Sequence, residues 1–236
     1  MFLLLPDFYP VCVYYEISEK IDFVHCLMRK YWIFCLVILF ANCSKPVFRE
    51  KWIHKKAPDR FTAVFETSRG FFTADFERSA SPLAIDRLYA QFKHGYYDHS
   101  LFYRVRPAYV VQFGGDDSVK QKAWNRIKIP DEPVIKPNIR GAISFARAGR
   151  NSRDNDLFIN LVNNSPFLDT VHSNGVQGFP ALGQVRSGME VVDSLYNGYG
   201  DAVFGMYDVL FKNKTVFLSR YPKLDSLISV RLVKTK

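Results

Sequence analysis

The residue of this chain with the clearest potential for chemistry is Arg104, within the stretch LFYRVRPAYVVQFGGD from Leu101 to Asp116. A guanidinium stays charged at any ordinary pH and presents its N–H donors in a fixed plane. An arginine among aromatic and branched side chains therefore snorkels to solvent, pairs with an acid, or serves as a fixed donor in a groove. Periodicity alone favours solvent, because strand arginines usually face water.

The segments that must position Arg104 are two short alternating runs, LFYRVR and YVVQFG. Alternation of this kind predicts β-strands, with Pro107-Ala108 separating them and Gly114-Gly115 closing the second. Asp116-Asp117 follows, which is typical of a turn at the end of a strand and much less so of a cation site.

The rest of the chain after residue 60 also reads mainly as strands. Phe61–Glu66 and Phe71–Glu77 predict a hairpin around Ser68-Arg69-Gly70. Four further strands are expected, at Ala142–Ala146, Asp156–Leu161, Leu182–Val185 and Leu227–Val233.

Two helices are expected among these strands. Ser81 caps the first, with Pro82 at its first position, Ile85, Leu88, Tyr89 and Phe92 on one face, and Gly95 at its end. The second runs from Ser187-Gly188 to near Gly198. Residues 117–140 and 200–217 have no clear period. Many strands with two helices indicate an antiparallel barrel.

The N-terminal part carries a different signal. All four cysteines, the last of them Cys43, fall in the first 43 residues. Met28-Arg29-Lys30 is basic, and Tyr31–Ala41 is an apolar run that is shorter than the roughly 20 residues a spanning helix needs. Together they resemble a bacterial lipoprotein signal that ends at a lipidated Cys43. An internal membrane anchor or a buried helix is the alternative.

This interpretation sets the expected domain organisation. Residues 1–27 contain acidic residues unsuited to a signal, so we expect an over-extended gene start, with translation beginning at Met28. Residues 28–43 are the signal, residues 44–60 a polar tether, and residues 61–236 the folded domain.

Charge and motif content exclude several classes of function. The formal net charge is +9, but the basic residues are dispersed, which is more typical of a solvated face near a membrane than of a nucleic-acid site. The five histidines lack metal-ligand spacing, and Gly114-Gly115 is followed by acids that would repel a phosphate.

Four blocks then carry a resemblance to a known family: FYRVRPAYVVQFGGD, GAISFARAG, DLFINL and FPALGQV. In order, spacing and letters they resemble the cyclophilin family of peptidyl-prolyl isomerases, from about Phe61 to the C-terminus. The resemblance implies a closed eight-stranded antiparallel β-barrel capped by two α-helices. FLSRYPKL, residues 217–224, resembles an extra segment of some bacterial members.

The resemblance also implies roles for particular residues. Arg104 would donate to the prolyl nitrogen, and Gln112 would hold the substrate carbonyl and orient Arg104. The implied substrate-binding positions are Phe102, Tyr109, Val110, Ala146, Arg147, Asp156, Phe158, Phe167, Leu168 and Phe179. Of these, Tyr109, Val110, Phe158 and Leu168 would form a cup for the proline ring, and the backbone of Arg147 would lie beside the substrate strand.

Four positions depart from the family pattern: Phe179 stands in place of histidine and Tyr109 in place of phenylalanine, and two further departures bear on function. Phe167 replaces tryptophan, which predicts weak cyclosporin binding. Asp156 replaces glutamine, and its carboxylate is expected either to orient Arg104 or to pair with it and weaken its field. Chemistry of this kind needs no cofactor or metal.

The expectation is therefore a monomeric isomerase of exported proteins, lipid-anchored in the cell envelope and facing the periplasm or exterior. A proline-binding chaperone or scaffold with little catalysis is the alternative, and a soluble cytosolic isomerase is a third possibility.

Overall fold

The computed structural model describes residues 46–153 and 155–233. The predicted hairpin is confirmed by antiparallel pairing of β1 (Arg60–Thr67) with β2 (Gly70–Glu77). Buried and exposed residues alternate along β1, as a strand with one face on the core requires. Arg69, in the turn, donates from Nε to Asp225 at 2.7 Å, which ties the hairpin to a distant part of the chain.

Nine strands form one sheet in which every pairing is antiparallel. The other seven strands of this sheet are β3 (Ser100–Leu101), β4 (Arg104–Arg106), β5 (Val110–Phe113), β6 (Ala142–Phe145), β7 (Leu157–Asn160), β10 (Ala181–Ser187) and β11 (Ser226–Leu232). Their order is β3-β11-β1-β2-β10-β6-β7-β5-β4, while β8 (His172–Ser173) and β9 (Val176–Gln177) make a separate small ladder. The fold is mainly β, as expected.

The hydrogen-bonded order differs from the closed eight-stranded barrel that the resemblance implied, because the sheet is open and has nine strands. Its two edge strands, β3 and β4, are consecutive in the chain and are separated by Phe102 and Tyr103 alone. The run LFYRVR therefore changes partner halfway, from β11 to β5. Alternation of side chains does not reveal such a change of partner, and for that reason the sequence predicted one strand here.

More helices occur in the described residues than the two predicted. Six α-helices are present: α1 (Pro82–Lys93), α2 (Ser118–Trp124), α3 (Ser165–Leu168), α4 (Met189–Asp193), α5 (Tyr207–Lys212) and α6 (Lys214–Arg220). Asp117 caps α2 by accepting from Val119 N at 2.9 Å and Lys120 N at 3.0 Å. Asp116, beside it, is buried and accepts from Lys214 at 2.7 Å. This acidic pair is thus a helix cap preceded by a buried ion-pair partner.

The first predicted helix is confirmed as α1, with its apolar face buried, but its capping differs from the prediction. Ser81 occupies the N-cap, but its side chain accepts no hydrogen bond from the helix. Glu132 accepts instead, from Leu83 N at 2.9 Å and Ala84 N at 3.1 Å, and the Ser81 hydroxyl donates to the same carboxylate. The negative charge lies at the helix N-terminus, where the helix dipole favours it.

Two of the three clusters of buried apolar side chains in the described residues hold the elements of the domain together. The main core lies between the sheet and α1 and is rich in aromatic contacts, most of them edge-to-face, although Phe65 stacks on Phe72 with centroids 4.4 Å apart. The smaller core joins β3 and Tyr103 to the segment after residue 199, which the sequence left unassigned. That segment contains a 3-10 helix (Gly200–Met206) followed by α5 and α6, and residues 200–220 are called the helical segment below.

The predicted gene start, signal and lipidated Cys43 lie outside the described residues. Within the predicted tether, Phe48, Trp52 and Ile53 pack against the main core. Through residues 46–153 and 155–233, no helix combines the length and apolarity needed to cross a membrane.

Glu132 is expected to be a major stabilising residue, because it also lies 3.4 Å from Arg153, whose side chain is only 1% exposed. Substitution Glu132→Ala leaves this guanidinium with less compensation and removes the cap of α1, so it should lower the free energy of unfolding by about 3 kcal/mol. Urea denaturation measures this. The exposed Glu50→Ala serves as control and should change stability by less than about 0.5 kcal/mol; equal effects would refute the role of Glu132.

Candidate functional site

Arg104 and Gln112 lie directly opposite each other on β4 and β5. Their side chains consequently leave the sheet on the same face, and Arg104 Nη1 donates to Gln112 Oε1 at 3.2 Å. The Arg104 side chain is 13% exposed, so it does not snorkel into open water. Arg104 instead faces a groove and at the same time pairs with an acid.

The acid is Asp201, from the 3-10 helix of the helical segment. Arg104 Nε donates to Asp201 Oδ1 at 2.7 Å, and the guanidinium carbon lies 4.8 Å from the ring centroid of Phe204. Sequence reasoning missed both residues. The sequence from 200 to 206 carries no motif or period that points to Arg104, which is about a hundred residues earlier in the chain.

A cavity of about 250 Å³ opens beside Arg104. Its lining comprises Arg104, Tyr109, Val110, Gln112, Ala146, Arg147, Phe158, Leu168, Phe179 and Phe204. Val110, Phe158 and Leu168 are almost completely buried and form an apolar cluster of their own, with Tyr109, Ala146 and Phe179 packed against it. The structure thus brings nine of the predicted site residues together around one apolar hollow with a cation at its edge.

The two faces of β5 and β7 explain how this hollow forms. Val111, Phe113, Leu157 and Ile159 point into the main core, and the alternate residues Val110, Gln112 and Phe158 line the cavity. Because successive side chains of a strand point to opposite faces, filling the core on one face obliges the other residues to face the cavity.

A network of buried amides fixes the loop residues of the cup. Asn138, fully buried, donates from Nδ2 to the carbonyl of Phe179 at 2.6 Å and to Asp169 Oδ1 at 2.7 Å. Asn164 Nδ2 donates to the carbonyl of Tyr109 at 3.0 Å. These bonds hold three segments of irregular backbone in register. No motif in the sequence marks these asparagines, since isolated polar residues in loops are common.

Arg147 contributes a second guanidinium to the site. Its side chain is 2% exposed, with the guanidinium carbon 4.7 Å from the ring centroid of Phe179 and Nη2 3.3 Å from the carbonyl of Val176. Burial lowers the pKa of this guanidinium from its ordinary value, and the charge of Asp131 partly offsets that effect. The sequence analysis considered only the backbone of Arg147.

Three predicted site residues lie away from the cavity lining. Phe102 is fully buried in the main core, with its ring 5.1 Å from that of Phe113. Phe167 on α3 is 58% exposed. Asp156 accepts a hydrogen bond from the Tyr207 hydroxyl at 2.6 Å. Gly115 has a φ of +58° next to this carboxylate, and a Cβ there would collide with it, so the close approach requires glycine.

A larger cavity, of about 560 Å³, lies over β2 and β10. Charged side chains on its rim pair with one another, as Glu77 does with Arg60 and Lys136. Among the residues that the structure describes, no group of three or more histidine, cysteine, aspartate or glutamate side chains is placed to hold a metal ion.

The amide network leads to a prediction for the cup. Asn138→Ala removes donors to two partly buried acceptors and takes from the fully buried Asn160 its acceptor, so the free energy of unfolding should fall by about 3 kcal/mol. Urea denaturation measures this. The exposed Asn163→Ala should have an effect below about 1 kcal/mol, and an equally small loss for Asn138→Ala would contradict the network's role.

Comparisons with known proteins indicate the family of this chain. The family model described as cyclophilin type peptidyl-prolyl cis-trans isomerase/CLD matches residues 62–212. Peptidyl-prolyl cis-trans isomerase A of Dickeya dadantii is 34% identical over 135 residues, which cover 56% of this chain and 69% of that protein. Peptidyl-prolyl cis-trans isomerase-like 1 of Aspergillus fumigatus is 31% identical over 137 residues, covering 56% of this chain and 80% of that protein.

A solved structure supports the fold. The crystal structure of a cyclophilin type peptidyl-prolyl cis-trans isomerase from Cryptosporidium parvum superposes with a TM-score of 0.51 at 14% identity, and the match covers 75% of this chain and 99% of that one. The match of the family model over more than half of the chain, together with these relatives, shows that the chain belongs to the cyclophilin-type peptidyl-prolyl cis-trans isomerase family.

Proposed function

We propose that this chain accelerates the cis–trans isomerisation of Xaa–Pro bonds in exported polypeptides, with Arg104 as the catalytic donor. The observation that carries the proposal is Arg104 at the edge of the apolar cavity, held by Gln112 on the neighbouring strand.

To accelerate this reaction, the protein must stabilise the twisted amide more than the planar amide. Rotation about a peptide bond crosses a barrier of about 18–20 kcal/mol, because resonance is lost and the nitrogen regains a lone pair. A cationic donor aimed at that nitrogen stabilises the twisted state more than the planar one, and only such a difference accelerates rotation. No bond is made or broken, so neither a nucleophile nor a general acid or base takes part.

The contacts of Arg104 leave part of its guanidinium for the substrate. Nε and Nη1 are engaged by Asp201 and Gln112, whereas Nη2 has no acceptor among the described residues. With the proline ring against Val110, Phe158 and Leu168, its amide would lie at the cavity edge beside Nη2. A proline ring in the cavity would displace water from that position, so the hydrogen bond from Arg104 would be stronger than in solvent.

A binding module with little catalysis is the second candidate. The ion pair with Asp201 favours it, because a carboxylate at 2.7 Å opposes the positive charge that Arg104 presents. In that case the cup would hold proline-containing segments without speeding rotation, as a chaperone or scaffold does.

Substitution Arg104→Ala is expected to lower kcat/KM for a short Ala-Pro peptide by about a hundredfold, which corresponds to about 2.7 kcal/mol of lost transition-state stabilisation. NMR exchange spectroscopy measures the rate, and a peptide titration measures binding. Arg186→Ala on β10 is the matched control, because the Arg186 side chain is 69% exposed and does not line the cavity beside Arg104. A wild-type protein that binds the peptide without enhancing exchange would establish the binding module instead.

We further propose that the isomerase domain works as a monomer, tethered by a lipid on Cys43 to a membrane of the cell envelope. The proposal is supported by the basic pair Arg29-Lys30 after Met28, the apolar run 31–41 and Cys43 just beyond it. An acyl chain gives membrane affinity of about 0.8 kcal/mol per buried methylene group, so the anchor does not depend on a spanning helix.

Substitution Cys43→Ser should move the full-length protein from the detergent phase to the aqueous phase of a detergent partition and abolish labelling with a fatty-acid analogue. Cys35→Ser, which leaves the predicted lipidation position intact, should change neither readout. An unmodified wild-type protein in the aqueous phase would indicate a soluble cytosolic isomerase.

A further inference from the structure

Two side chains from one turn of the helical segment contact the guanidinium of Arg104. Asp201 and Phe204 are three residues apart in the 3-10 helix. Side chains at this spacing eclipse each other in a 3-10 helix, so both point to the same side. Asp201 binds the Nε edge of Arg104 at 2.7 Å, and Phe204 lies against its guanidinium at 4.8 Å while lining the cavity. One helical turn thus contacts both an edge and a face of the same cation.

The helical segment is held firmly enough to impose this geometry. Val203, Leu210 and Phe217 are fully buried against Leu101 and Tyr103. These contacts place an apolar anchor on each of the three helices of the segment.

Polar contacts fix the same segment at two further points. Tyr207 donates to Asp156 at 2.6 Å, and Lys214 donates to the buried Asp116 at 2.7 Å. Asp201 therefore reaches Arg104 from a segment that is anchored to the domain by both apolar and polar contacts.

We propose that Asp201 is a positioning residue that orients Arg104 for catalysis, an inference that rests on the proposed function. An arginine side chain has several rotatable bonds, and a single bond to Gln112 leaves its plane free to swing. The second bond, to Asp201, fixes that plane and directs Nη2 along the cavity edge. A hydrogen-bond donor accelerates a reaction most when the protein holds it in the correct orientation before the reaction begins.

Asp201 has two opposing effects: its hydrogen bond orients Arg104, and its negative charge weakens the positive field that Arg104 exerts on the substrate. The strength of each effect decides which one dominates. The Asp201 side chain is 47% exposed, so water screens its charge strongly and the ion pair is weak. The directional hydrogen bond at 2.7 Å is retained despite this screening. Orientation therefore outweighs the loss of field at the substrate, and removal of Asp201 slows the reaction.

The test compares Asp201→Ala, Asp201→Asn and the wild type on an Ala-Pro peptide. Asp201→Ala should lower kcat about tenfold and change KM less than about twofold, because the cup is intact and only the donor's direction is lost. Asp201→Asn should recover most of the rate, since its amide oxygen still accepts from Nε. Asp208→Ala, in the same helical segment with a side chain 87% exposed, is the control and should leave the rate unchanged.

A double-mutant cycle separates positioning from a structural effect. If Asp201 acts through Arg104, adding Asp201→Ala to Arg104→Ala should produce no further loss. A further tenfold loss in that background, or a rate above wild type for Asp201→Ala alone, would overturn the inference. A wild-type rate equal to that of Arg104→Ala would refute the proposed function itself, which keeps the two failures distinguishable.

Discussion

The paired faces of β4, β5 and β7 are the constraint on which the rest of the site depends. Val105, Val111 and Ile159 are buried in the main core, so the alternate residues of the same strands must project on the opposite side. On that side Arg104 meets Gln112 across the ladder, and Phe158 lies opposite Gln112 on β7. A shift of one residue in either pairing would place Arg104 in the core, which the burial cost of its charge forbids.

A second constraint is that loops and short helices outside the sheet complete the site, and these segments need support of their own. The backbone at Tyr109 is held by the partly buried Asn164, and the backbone at Phe179 by Asn138, which is fully buried, so that solvent cannot replace its bonds. The helical segment is held differently, by a small apolar core together with Asp116 and Asp156. Burial raises the pKa of Asp116, and the opposing effect of the neighbouring Lys214 is smaller. The ion pair that anchors the helical segment is therefore largely shielded from water.

The sequence was a good guide wherever a local pattern carried the information. Alternation predicted the hairpin and the strands around Arg104, and helical spacing predicted the buried face of α1. It was a poor guide where partners were distant. Glu132 caps α1 from almost fifty residues away, and the run containing Phe102 and Tyr103 changes partner strand without any break in its pattern.

By itself the sequence determined the strand alternation, the family, and the candidate roles of Arg104 and Gln112, because these depend on residue type and spacing along one stretch of chain. Tertiary structure alone decided that Asp201 and Phe204 meet the guanidinium of Arg104, that Phe102 belongs to the main core, and that Asp156 bonds Tyr207. The physical reason is that each of these contacts depends on where a segment docks, and docking is governed by the packing of residues far apart in the chain.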